Sequence, residues 1–245
     1  ASLKLLGGES NVSTAEIDTD TEINIGGKLN ANEVAVGQTV KRTSFNTAES
    51  DGAGLITVDK YKLETSSKGK SSVNIAADMT DTNYKNALSV NSNATNQAES
   101  ILSANKYALA AISKDVSSNT LDAKNTVNLK NAKVKSKGNV SINASSKNKA
   151  TMKKDVSGSG AVIVFGGQLD NNITSSADII ADNSKISAKN ISLSSAADLG
   201  TVDNKNIEYT IGIKGANVRD NTTINNNVTQ SANINIKKSE INAEE

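Results

Sequence analysis

Histidine, cysteine, proline and tryptophan are missing from the 245 residues, and phenylalanine and tyrosine together supply only six. Without histidine, the usual base of a nucleophilic triad is gone. Without cysteine there are no disulfides, thiolate metal sites or thiol chemistry, and such a chain suits export through a narrow outer-membrane pore. No stretch reaches the ~20 apolar residues that a membrane-spanning helix needs. Few aromatic rings argue against a thick globular core, because those side chains bury the most area per residue.

Charge of one sign is also lacking. The 27 basic and 26 acidic residues are interspersed, for a formal net charge of +1. Arg42 and Arg219 are the only arginines. No basic stripe is present to neutralise phosphates, so nucleic acid is not an expected partner. The run Lys147 to Lys154 reads as a solvated face.

What is there is Val, Ile, Leu and Ala among 33 asparagines and abundant Ser and Thr. Such composition borders on that of disordered chains. The missing prolines and the placement of the β-branched residues point the other way. An apolar, small or polar, apolar triplet recurs as Val34-x-Val36, Val73-x-Ile75, Val127-x-Leu129 and Val140-x-Ile142. It returns as Val162-x-Val164, Ile191-x-Leu193, Ile211-x-Ile213 and Ile234-x-Ile236, joined by Leu55 to Val58 and Ile179-Ile180. Period-two alternation marks short, half-buried strands, and strands this short must stack on neighbours.

Their spacing predicts an all-β fold, a right-handed parallel β-helix running through 1–245. Most of these strands fall about 12 to 23 residues apart, against a length of roughly 20 expected of one coil. About eleven coils at strand spacing would make a rod on the order of 50 Å long. A longer repeat overlies the short one. Lys28 to Val36 aligns with Lys185 to Leu193, Lys133 to Ile142 is a further copy, and Ser239 to Ala243 begins another. The anchors Leu29, Val134, Ile186 and Ile241 define a unit of about 52–55 residues, with a degenerate copy between the first two. The sequence opens and closes inside this pattern, as a stretch of a longer stalk would.

A second landmark is the small-residue run Ser157-Gly158-Ser159-Gly160, which resembles Ser50-Asp51-Gly52-Ala53-Gly54. Each lets the backbone turn tightly before a strand expected to be buried. Residues 84–112 fit the pattern worst and are expected to form an extra-helical loop or a short helix, given the helix-forming Ala108 to Ile112.

Chemistry could reside in carboxylates. Asp78 with Asp81, Asp18 with Asp20, and Asp220 beside Arg219 are the pairs to weigh. Neighbouring aspartates are far more often turn formers than acid–base pairs, and no catalytic residue is assigned. Neither an EF-hand loop nor a calcium-binding glycine–aspartate nonapeptide occurs, so no metal or cofactor is expected. Asparagine is the distinctive type. Asn171-Asn172 and Asn225-Asn226-Asn227 are the best candidates for side-chain ladders between stacked strands or for turns.

The run Ser157 to Val164, then Asn171-Asn172-Ile173, then Ser184 to Leu193 resembles the passenger repeats of filamentous-haemagglutinin-like exoproteins, fusobacterial ones in particular. The resemblance extends over residues 28–80 and 120–245. It implies a right-handed β-helix, secretion by a dedicated outer-membrane export pore, and display at the bacterial surface. It further implies attachment to a host-cell surface protein or glycan, or to other bacteria, and supplies no catalytic residues. The expected role is a rigid stalk or attachment surface in an adhesin, with end-to-end self-association through unpaired edges. A leukotoxin with the same repeats is the alternative, and a polysaccharide-cleaving β-helix enzyme a more remote one.

Overall fold

In the computed structural model, residues 6–7, 10–80, 87–200 and 217–243 are described, and the elements among them are all strands. In order they are β1 (Leu6–Gly7), β2 (Ser10–Asp18), β3 (Thr21–Lys28), β4 (Glu33–Met79), β5 (Ala87–Lys130) and β6 (Lys133–Lys135). There follow β7 (Asn139–Ser159), β8 (Val162–Asp182), β9 (Lys185–Ala188), β10 (Asn190–Leu199), β11 (Asn217–Lys237) and β12 (Glu240–Ala243). Proline, which would remove ladder donors, never interrupts them.

The twelve strands form one sheet in which every pairing is parallel. Leu6 pairs with Ile56, Val34 with Leu88, Leu88 with Val140, Val140 with Ile191, and Ile186 with Ile241. Each residue therefore lies on one 50 to 55 positions away. Val12, Lys62, Val116, Gln168 and Thr223 make one such column, five levels and about 20 Å tall at ordinary strand spacing.

This register corrects the expected ~20-residue coil and its eleven-coil rod. Triplets about 20 residues apart sit around a single level, and stacking joins residues a whole long repeat apart. The polar residues between the triplets are extended rather than turning, because their inward Ser, Thr and Asn side chains find partners across the interior.

Within β4 and β5 the chain doubles back to form two facing walls. Asn46 Nδ2 donates to the Glu64 carbonyl at 3.1 Å, so β4 must double back between them. In β5, Ser92 Oγ meets Asn125 Oδ1 and Ser100 Oγ meets Asn119 Oδ1, which makes residues 87–108 face 111–130. A wall of 22 residues is about 70 Å long. The bends of β4 and of the turn into β8 fall at the glycine-containing runs around 52–54 and 160, and that of β5 at Leu109–Ala110. Gly160 is required there, since a Cβ would lie 2.0 Å from the Ala108 carbonyl oxygen.

At the far end from the bends, the walls join a third, short side. There Val36, Val73, Ile75, Met79, Val90, Val127, Leu129, Val134, Ile142, Ile179 and Ile186 form the main apolar core. Burying one such side chain contributes roughly 1.5–3 kcal/mol, so this end carries most of the apolar stabilisation. Most of the triplets belong here. Met79 pairs with Val134, which pairs with Ile186, which pairs with Ile241. Methionine thus occupies the degenerate copy of the anchor. The corner before it is turned by left-handed Asn131, Asn183 and Lys238, at φ of 56°, 50° and 47°.

Three further expectations are overturned. Leu55, Ile56, Val58 and Val162 face solvent, while Thr57, Asp59, Ile163 and Phe165 face inward. The inward phase switches from even to odd at each bend, and the inward positions there mix Thr57, Asp59 and Ser113 with the apolar Ala108, Ala111, Ile163 and Phe165. Residues 87–112 of the expected loop or helix at 84–112 are strand, with 84–86 outside the described residues. Parallel neighbours on both sides saturate that backbone and override alanine's helix propensity. Lys154, read as part of a solvated run, is fully buried. Ile211-x-Ile213 lies outside the described residues. Ile234 and Ile236 are about half exposed on β11, the outermost described level of that wall.

Candidate functional site

The interior between the walls is polar and charged. Lys106 comes from the phase of Leu102, Ala104 and Ala108, so its side chain enters the interior with theirs. Its Nζ lies 2.9 Å from Asp59 Oδ2 and donates to Tyr61 Oη at 3.1 Å, with the Tyr61 ring centre 5.5 Å away. Burial alone would lower the ammonium's pKa, but the Asp59 carboxylate and Tyr61 hydroxyl outweigh it and hold Lys106 above its usual value. Tyr61 stacks on Asp115, which carries the second pair. Lys154 Nζ is 2.5 Å from Asp115 Oδ2, Ser113 Oγ donates to Asp115 Oδ1, and the Phe165 ring lies 5.8 Å from the ammonium. Both pairs cross from one wall to the other and from one level to the next.

Arg42, equally buried, is held chiefly by neutral acceptors. Nε donates to the Thr19 carbonyl, Nη1 to Asn96 Oδ1, and Nη2 to both the Lys70 carbonyl and Ser71 Oγ, at 2.9–3.1 Å. Desolvation lowers its pKa, opposed by the charges of Asp20 and Asp18. Gly69, at φ 150°, leaves room for it, because a Cβ would lie 2.5 Å from Arg42 Nε. Below the guanidinium, Asn96 Nδ2 donates to Asn148 Oδ1, and Asn148 Nδ2 to Ser175 Oγ.

Asparagine ladders form at the positions singled out. Asn119 Nδ2 donates to Asn171 Oδ1 at 3.0 Å, and Asn171 Nδ2 to Asn226 Oδ1 at 2.9 Å, inside the walls. Outside, Asn227 donates to Asn172 and Asn225 to Asp170. Another outer ladder runs from Asn128 through Asn74 to Asn24. An amide carries both donor and acceptor, so one type can repeat up a column without leaving either unmet.

The sequence-derived carboxylate pairs are placed as follows. Asp78 Oδ1 accepts from Thr80 Oγ1 at 2.6 Å and from the Thr80 N–H at 3.2 Å, the bonds of a turn. The Thr80 hydroxyl foremost pulls the Asp78 pKa down, the opposite of what a general acid needs. Asp81 and the Asp220 side chain fall outside the described residues, and Arg219 is exposed. Asp20 Oδ1 accepts the Lys70 N–H at 2.7 Å. With Asp18, Lys68, Lys70, Asp122 and Lys124 it lines an open cleft of alternating charge. Among the described residues no three His, Cys, Asp or Glu lie together as metal ligands would.

Sequence reasoning missed Lys106, Asp59, Lys154, Asp115 and Arg42. The available signal was phase: each charge occupies the same parity as the buried residues flanking it. Being buried, both ion pairs are out of reach of a substrate and act on the fold. What a partner can meet is the outer surface, polar along most of its length and apolar near the bends. No protein-family model, no curated protein and no solved structure matches the chain.

Proposed function

We propose that this chain is a length of right-handed parallel β-helix from a secreted or surface-displayed bacterial adhesin passenger, serving as rigid stalk, attachment surface or both. The observation that carries this reading is the continuous parallel register, with side chains hydrogen-bonded from level to level. Such stacking makes a stiff body from a sequence poor in aromatics, whose extent grows simply by adding levels. The resemblance to filamentous-haemagglutinin-like exoproteins supports secretion through a dedicated export pore and a host-cell protein, glycan or other bacterium as partner. A leukotoxin parent is the second reading, favoured by the apolar surface near the bends. A polysaccharide-cleaving role has less support, since the buried Lys–Asp pairs are inaccessible and Asp78 is engaged in a turn.

Fluorescently labelled chain, added to leukocytes and epithelial cells with a viability dye, tests the reading. Saturable binding without dye uptake is expected of an attachment surface. Dye uptake by the bound cells would move the assignment to the toxin. No binding to either cell type would restrict this length to the stalk role.

A further inference from the structure

The apolar alternation around the bends, which a sequence reading places in the core, lies on the surface. Ile56, Ala110 and Val162 are one column, and Val58, Ile112 and Val164 the column two residues on. Ile56, Val58, Ile112 and Val162 are each 41–43% exposed. The crest adds Leu55, Leu109 and Tyr107, of which Leu109 and Tyr107 are 61% and 62% exposed. Further along the same walls the outward residues are mostly polar, as in the column Lys68, Asp122 and Thr174, with Val12, Phe45 and Val116 as scattered exceptions. Aliphatic residues therefore make an outward grid three levels high and two columns wide, continuing onto a protruding crest. An apolar patch of this kind on an otherwise polar surface marks a site of contact.

Its border is cationic on the side of residues 60–62, whereas across the crest exposed Glu49 and the Lys153–Asp155 pair flank it. Lys60 and Lys114 form the next column, Lys62 follows, and exposed Arg219 lies beside Val164. Glu64 is bound to Lys62 at 2.7 Å, leaving the balance of that flank positive. We infer that this bend face docks on an anionic lipid surface. The crest leucines and Tyr107 enter the headgroup–acyl boundary, and the lysines meet lipid phosphates. The inference stands on the surface grid and does not depend on the attachment reading.

Flotation of the full chain with phosphatidylcholine vesicles, with and without phosphatidylglycerol, tests it. Co-flotation with the phosphatidylglycerol vesicles, reduced by salt, is the expected result. Leu109→Glu with Ile112→Glu should weaken binding on the order of tenfold or more, by removing buried apolar area. Lys60→Glu with Lys114→Glu should weaken it comparably, by reversing the border charge. Thr174→Glu, on the outer face away from the grid, should bind as the parent does. All these side chains point outward, and unchanged far-ultraviolet dichroism verifies the fold of each variant. Absence of flotation with either vesicle would overturn the inference, as would equal flotation by the Leu109/Ile112 variant. A concentration-dependent dimer dissolved by Leu109→Glu would also overturn it, assigning the face to a second copy.

Discussion

Lys154 Nζ and Asp115 Oδ2 lie 2.5 Å apart between the two walls, each side chain only 1% exposed. Removing one partner strands the other charge in a dry interior, whereas replacing both with apolar residues removes the desolvation cost too. Asp115→Ala should therefore cost about 3–5 kcal/mol. Asp115→Leu combined with Lys154→Met should recover most of it. Urea-unfolding midpoints check both, and a double variant no more stable than Asp115→Ala would show that the pair specifies the packing.

Lys106 sets a pH limit. Its folded-state pKa is raised, so the stability it contributes is fully present below the unfolded value, about 10.4. That stability is lost as pH rises through the folded value. Thermal melts between neutral pH and strongly alkaline pH should show a fall in Tm beginning above about 10.4. Lys106→Met, paired with Asp59→Leu to avoid a stranded carboxylate, should flatten that part of the profile.

The inward phase near the bends can be read by adjacent substitutions. Ile163 is buried and Val162 is exposed on the outer face. Ile163→Asp should cost several kcal/mol by burying an unpaired charge, and Val162→Asp within about 0.5 kcal/mol. Equal losses in denaturant unfolding would contradict the register described.

Asn171 and Asn172 separate interior from exterior ladders. Asn171 is completely buried and bonded on both sides, so Asn171→Ala leaves the amides of Asn119 and Asn226 short of a partner and should cost about 1–3 kcal/mol. Asn172→Ala removes only an exposed bond to Asn227 and should change stability by less than about 0.5 kcal/mol. Chemical denaturation of the two variants side by side makes the comparison.

Much of this architecture was legible from residue order. The anchors Val134, Ile186 and Ile241 recur at the spacing at which they pair, and the triplets Val73-x-Ile75, Val127-x-Leu129 and Val140-x-Ile142 all enter the main core. The asparagine runs foretold the ladders because an amide satisfies its own kind. Less legible was the phase of Leu55 to Val58 and Val162-x-Val164. Alternation shows that two faces differ but not which one is inside, and a charge at an inward position reads as solvated until its partner is known.

The sequence by itself determined strand, period and the composition of the apolar end, because these depend on local alternation and on repetition at fixed intervals. Tertiary structure alone decided that one 52–55-residue repeat makes a single level, that Lys106 meets Asp59, and that the bend face turns its aliphatic residues outward. Those outcomes depend on which wall faces which. A charged side chain enters an interior only where segments tens of residues away bring an opposite charge, as for Lys106, or enough neutral acceptors, as for Arg42, to meet it.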